Sequence, residues 1–165
     1  MGPAARYLHL GMTSSDVLDS SLALRCVRSL DMILEGWDEL VELLAARAVE
    51  FKALPCVGRS HGIHAEPMTF GLKILSWHQE FARAGERLRR AREMVRFGQI
   101  SGAVGTYNTV DPGVEADALA ALDLQVEPVS TQVVPRDRHA EMLNHRAVAA
   151  GAIERVATEI RGLQR

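Results

Sequence analysis

The sequence predicts an all-α protein, a bundle of long helices. Three observations carry this: three stretches repeat apolar residues at steps of three and four, helix-start residues open them, and the segments between are rich in Gly, Ser, Thr and Pro. The first helix is expected to start at Thr13-Ser14-Ser15-Asp16. Hydroxyls there can cap orphan N–H groups, and Asp16, three residues after Thr13, can return the bond. Leu22, Cys26, Leu30, Ile33, Trp37, Leu40, Leu44 and Ala48 form its stripe, and it should end near Lys52, before Pro55. A second helix is signalled by Pro67 at a first-turn position, followed by Phe70, Ile74, Trp77, Phe81, Ala84, Leu88, Ala91 and Val95. The stretch from Gly98 to Pro112 breaks the pattern and reads as a loop, in which Gly102 and Gly105 permit close backbone approach.

Val114, Ala118, Leu119 and Leu122 suggest a short helix, and Val126 to Pro135 a second loop. A last long helix begins after Pro135, with Ala140, Leu143, Ala147, Ala150, Ile153, Val156, Ile160 and Leu163 as its stripe. That stripe still runs at the final residue with no glycine cap or proline stop, so one helical domain over 1–165, incomplete at its ends, is expected. Such a bundle needs further helices or sister chains to cover both sides of its stripes.

The chain's 165 residues suffice for one domain with a core. Its 47% hydrophobic and 24% charged residues place it among globular proteins and exclude disorder. A net charge of −2 gives no concentrated positive field, so neither nucleic acid nor an anionic membrane is an expected partner. Cys26 and Cys56 form no CxxC pair, which fits a reducing cytoplasm, and no apolar run approaches the length of a membrane span. The Met1-Gly2-Pro3 opening lacks the regions of a signal peptide.

Three polar segments interrupt the helical periodicity: His9 to Asp16, Gly58 to Pro67, and Ser130-Thr131-Gln132 leading to Arg136-Asp137-Arg138-His139. Each lies at or just before a predicted helix start, where unsatisfied N–H groups and a partial positive charge would suit carboxylates and a phosphate if the three ends were gathered. His61, flanked by Ser60 and Gly62, has the chemistry of a general acid or base, and Glu66 could hold its tautomer. Equally, it could be a loop histidine satisfied by backbone carbonyls. His61, His64 and Glu66 match no metal-ligand spacing, and no metal site is expected. Thr13 and Ser14 serve as caps or as ligand hydroxyls, His9 as a turn residue or a ligand contact, and Gln132 as a loop or ligand residue. Arg136 and Arg138 around Asp137 read as a solvated cluster or a salt-bridged helix start.

The strings HLGMTSSDVLDS, GRSHGIHAEPMTFGLK, ISGAVGTYNTVDP, STQVVPRDRHAE and EIRGLQ, in this order, resemble the adenylosuccinate lyase family of the fumarase and aspartase superfamily. The resemblance covers almost the whole chain after Tyr7. It implies the superfamily's long-helix bundle, incomplete at both ends, and a cytoplasmic homotetramer with each active site built from three subunits. It also implies two steps of purine biosynthesis: cleavage of adenylosuccinate to AMP and fumarate, and of SAICAR to AICAR and fumarate, without a cofactor. By the same resemblance His61 matches the general acid that protonates the departing nitrogen, His9 a histidine near the substrate phosphate, and Thr13, Ser14 and Gln132 substrate-binding residues. Ser60, His64, Glu66, Lys73 and Arg136 fall in matched motifs with supporting roles.

Two departures stand out. Ser60 occupies a position where the family often has threonine, which keeps the hydroxyl. The family's N-terminal region and its SSxMPxKxNP loop, source of the serine general base, are absent from the sequence. An acid without a base predicts little or no turnover by this chain alone. The alternative is a non-enzymatic helical oligomerisation module of lyase ancestry.

Overall fold

A computed structural model describes residues 2–164, so expectations touching Met1 and Arg165 lie outside the described residues. A 3-10 turn at Pro3–Tyr7 precedes helix α1 (Ser14–Glu50). Strands β1 (Pro55–Ser60) and β2 (Ile63–Thr69) lead into α2 (Phe70–Val95), and β3 (Phe97–Gly98), α3 (Pro112–Ala120) and β4 (Gln125–Val126) lead into α4 (Asp137–Gly162). Helices dominate, as the periodicity predicts. The residues form two compact units, one comprising the chain up to Asp31 with Ala91–Met142, the other Met32–Arg90 with the chain from Leu143 onward.

In the first unit Ala23, Val27 and Leu30 of α1, Ala91 and Val95 of α2, and Leu119, Leu124, Val134 and Met142 are buried. Beta strands β3 and β4 pair in parallel. Gly98 lies where a Cβ would stand 2.7 Å from Leu119 Cδ2 and 2.8 Å from Ser20 Oγ, so no side chain fits between these elements. Arg138 stacks on the Phe97 ring with 3.6 Å to its centroid and donates to Glu127 at 2.7 Å and to the Met94 carbonyl at 3.1 Å. A guanidinium that is both stacked and forked onto a buried carboxylate fixes the start of α4.

In the second unit Leu34, Trp37, Leu44 and Ala48 of α1, Ile74, Trp77, Phe81, Ala84 and Leu88 of α2, and Ala149 and Ala152 of α4 are buried. Trp37 stacks on Phe81 with centroids 4.8 Å apart, and its Nε1 donates to the Phe81 carbonyl at 2.9 Å. Gly85 leaves room for this ring, since a Cβ there would stand 3.2 Å from Trp37 Cδ1. At Gly71 a Cβ would lie 2.4 Å from the Ala48 carbonyl, so the end of α1 and the start of α2 touch backbone to backbone.

Four expectations are corrected. Pro67 is not a first-turn residue: it lies in β2 opposite Val57, and α2 starts three residues later, where the Leu72 N–H bonds to Thr69 Oγ1 at 3.3 Å in the manner of an N-cap. The hairpin itself leaves no periodic signal in the sequence, because none of its strand residues is buried and they show no apolar alternation. In α4 the expected stripe residues Leu143, Ala147, Ala150, Ile153 and Ile160 are exposed, while Met142, Ala149 and Ala152 are buried. Apolar residues occur on both sides of that helix, so period alone picked the wrong one. Near the start of α1 the buried apolar residues are Ala23 and Val27 with Leu22 exposed, and around α3 Leu119 is buried as expected while Val114 and Leu122 are exposed.

Candidate active site

Helix α1 starts from a turn in which the Met12 N–H bonds to the His9 carbonyl at 3.2 Å. Gly11, third in that turn, has φ +77°, and a Cβ there would stand 2.7 Å from the Thr109 carbonyl. A left-handed residue at this position is the requirement of a type II turn, which glycine meets without strain. Thr109 Oγ1 donates to the Gly11 carbonyl at 2.8 Å, which pins the turn carrying the exposed His9. The Thr13 N–H donates to Asp16 Oδ2 at 2.9 Å, so Asp16 does return a bond as its spacing predicts. Among the described residues the Ser14 hydroxyl has no partner, so the helix start is closed by a carboxylate and not by this hydroxyl.

Asp16 does more than cap. It is 1% exposed, and its carboxylate also accepts the Gly102 N–H at 3.1 Å, the Ser101 N–H at 3.3 Å and Gln99 Nε2 at 3.3 Å. The Ile100 N–H goes to Glu115 Oε1 at 2.7 Å, and the Gln99 N–H to Ser20 Oγ at 3.1 Å. Four successive N–H groups of an irregular buried segment are thus satisfied by three side chains, which is how a loop can enter a core without a ladder. Tyr107 donates to Glu115 Oε2 at 2.6 Å, and this bond pushes the phenol up to about 12, since ionisation would set two anions together. Of the two glycines expected to allow close backbone approach, Gly105 does so within the chain: at φ +79°, a Cβ there would stand 2.3 Å from the Ser130 carbonyl, whereas a Cβ on Gly102 would meet nothing nearer than 3.6 Å.

The segment bearing Gln132 is held by the same unit. Its carbonyl accepts Gln99 Nε2 at 2.9 Å, Ser130 and Ser101 share a hydroxyl bond at 2.7 Å, and the Val134 N–H bonds to Asp19 Oδ2 at 2.9 Å. The Gln132 residue is exposed. Arg136 donates to Asp19 Oδ1 at 3.0 Å, so the arginine is the salt-bridged helix start of the two readings. His9, Thr13, Ser14, Gln132 and Arg136 therefore all belong to one unit. Burial, reinforced by the Arg136 guanidinium, holds the His139 imidazole below the usual histidine range. Neither of its ring nitrogens makes a hydrogen bond of ordinary geometry among the described residues.

Ser60, His61, His64 and Glu66 belong to the second unit, on the β1–β2 hairpin. Ser60 pairs with Ile63, and the two residues between, His61 at φ 55° and Gly62 at φ 77°, make a two-residue turn with both central residues left-handed, the signature of type I′. A non-glycine residue there is strained, and histidine is among the few that tolerate it. His61 thereby stands at an exposed tip. Between the pairs Val57 with Pro67 and Arg59 with His64, Ala65 and Glu66 face Gly58 alone, which is a β-bulge. Gly58 is required there, since a Cβ would stand 2.9 Å from the Glu66 carbonyl. Among the described residues no hydrogen bond joins Glu66 to His61, so Glu66 does not hold its tautomer. No three His, Cys, Asp or Glu side chains among the described residues converge as metal ligands.

Beside the hairpin lies a cavity of about 350 Å³ lined by Arg59, Gly62, Lys73 and Glu159, with Lys73 ion-paired to Glu159. Two cations and one anion at its wall leave a surplus positive charge, suited to a carboxylate. No helix among the described residues is long and apolar enough to cross a membrane.

The sequence profile of the lyase family matches residues 2–165. The chain belongs to the lyase family. Adenylosuccinate lyases of Synechocystis sp. and Thermotoga maritima are each 52% identical to this lyase-family chain over 165 residues, and that of Aquifex aeolicus is 50% identical. The chain is covered in full, and it spans 38% of the length of each of these relatives. Among solved structures, a fumarate lyase from Mesorhizobium sp. BNC1 superposes with a TM-score of 0.91 at 31% identity, covering 99% of this chain and 39% of the other. A 3-carboxy-cis,cis-muconate lactonizing enzyme from Pseudomonas putida gives 0.83 at 30% identity, covering 93% and 35%. The helical lyase fold is therefore shared.

Proposed function

We propose that this chain carries the acid and part of the substrate-binding surface of an adenylosuccinate lyase, which cleaves adenylosuccinate to AMP and fumarate and SAICAR to AICAR and fumarate. The observation that carries the reading is His61 itself, a histidine at a strained left-handed turn position on an exposed tip. The 52% identity to proteins named for this activity supports the choice of substrate.

The elimination breaks a C–N bond. A base takes a proton from the carbon beside a carboxylate, cationic and N–H donors stabilise the charge that develops, and His61 gives its proton to the nitrogen as the bond breaks. Arg59 and Lys73 beside the turn suit the succinyl carboxylates. His9, Thr13 and Ser14 at the start of a 37-residue helix suit the phosphate. The serine base of this reading belongs to a signature loop outside the 165 residues. In this reading the protein acts in the cytoplasm as a homotetramer, and neighbouring copies bring His9, His61 and Gln132 to one cleft.

Complementation tests it. The chain is mixed with an adenylosuccinate lyase that bears the signature loop but lacks its own acid histidine, and fumarate release is followed by ultraviolet absorbance. Release is expected to return on co-assembly. Co-assembly without release would overturn the reading and leave a helical scaffold.

A further inference from the structure

We propose that Gln99 is a positioning residue that sets the Gln132 segment against the start of α1; the inference rests on Gln132, Thr13 and Ser14 being substrate-binding residues. Gln99 is 0% exposed. Its backbone is clamped on both sides by one hydroxyl, Ser20 Oγ, which donates to its carbonyl at 2.9 Å and accepts its N–H at 3.1 Å. Only the side chain of this anchored residue is left to act. Its Nε2 donates to Asp16 Oδ1 at 3.3 Å and to the Gln132 carbonyl at 2.9 Å. Both neighbours are acceptors, so the amide cannot be turned over: the oxygen would then face a carboxylate and a carbonyl.

The Gln99 Oε1 is buried and has no partner among the described residues. The polar function of the side chain therefore lies wholly in its two donated bonds, and a buried acceptor without a partner is retained only where the rest of the group does something an apolar side chain would not. What it does is bridge. Asp16 holds the Thr13 N–H at 2.9 Å, so one amide links the main chain of Gln132 to the main chain of Thr13 through a single carboxylate. Positions 13 and 132 are separated by most of the chain, and the bridge removes the freedom of the loop end relative to the helix end. Binding groups set in advance of substrate lower the cost of ordering them on binding.

The test is made in the active assembly. Gln99→Met keeps the length of the side chain and removes both donated bonds. KM for adenylosuccinate is expected to rise about tenfold with kcat within about threefold, because binding groups are displaced while the acid is untouched. Gln132→Ala is expected to raise KM, and the double variant to be no worse than Gln132→Ala by more than about twofold, since one residue acts through the other. An unchanged KM in Gln99→Met, or effects that multiply in the double variant, overturns the proposal. No effect of Gln132→Ala instead overturns the assignment of Gln132, a separate failure. Should Gln99→Met not fold, Gln99→Lys, which keeps a donor toward both acceptors, must hold KM within about threefold, and a tenfold rise overturns the proposal.

Discussion

The carboxylate of Asp16 accepts the N–H of Gly102 at 3.1 Å, joining two residues 86 positions apart. Each Asp16 oxygen meets two donors: Thr13 and Gly102 at Oδ2, Ser101 and Gln99 at Oδ1. An amide in its place must therefore turn its NH₂ toward two donors. Asp16→Asn is expected to cost about 2–3 kcal/mol, read by chemical denaturation, although it is isosteric. A loss under about 0.5 kcal/mol would show that the four contacts are dispensable.

At His61 the turn's stability and the proposed acid role can be tested apart. Gly accepts φ 55° without strain, so His61→Gly is expected to raise the melting temperature slightly, by about 0.5–1 kcal/mol of stability, while abolishing fumarate release in the complementing mixture. Release that survives this change removes His61 as the acid.

Gly105→Ala meets two obstacles, a left-handed backbone and the Ser130 carbonyl 2.3 Å from the new Cβ. It should destabilise by about 1–3 kcal/mol and displace the segment before Gln132, which chemical shifts of residues 130–134 would report.

Tyr107→Phe leaves Glu115 Oε2 without its donor in a site where Glu115 is 1% exposed. The expected loss is about 1–3 kcal/mol near neutral pH. The wild-type bond weakens as pH rises from about 10, where the unfolded phenol ionises, through about 12, so alkaline denaturation should come earlier in the wild type than its neutral-pH advantage suggests.

His139 is kept below the ordinary histidine range, so the unfolded chain binds its proton first on acidification. Stability tied to the neutral ring is full above about pH 6.5 and falls as pH drops below that value. Melting temperatures between about pH 7.5 and 5.5 should decline in the wild type and more shallowly in His139→Leu. Equal slopes would assign the acid sensitivity to other groups.

How much of this was legible follows from what leaves a periodic trace. Trp37, Phe81 and Leu88 recur at helical spacing and are buried as read. The cap at Asp16 was visible because its spacing from Thr13 is local, but its bonds to Ser101 and Gly102 reach 85 and 86 positions along the chain and leave no mark in the sequence. Gln99 carries no signal for the same reason, and Glu115 none because its partners, the Ile100 N–H and Tyr107, lie in an irregular loop without a period. The hairpin around His61 escaped notice because His-Gly stands where Asn-Gly would announce the turn, and because its strands lack a buried face. Motif strings named the candidate residues, while the side chains that hold those segments in place came from the structure.

The extra residue opposite Gly58 bends the ladder that carries the turn. Removing Ala65 would leave Val57 with Pro67, Arg59 with His64 and Ser60 with Ile63 as partners, yet it would flatten the ladder between them. The tip would then aim elsewhere with its own two residues unchanged. The direction of the tip and the identity of the residue it carries are thus written in different parts of the hairpin, and a one-residue deletion can alter the first while sparing the second.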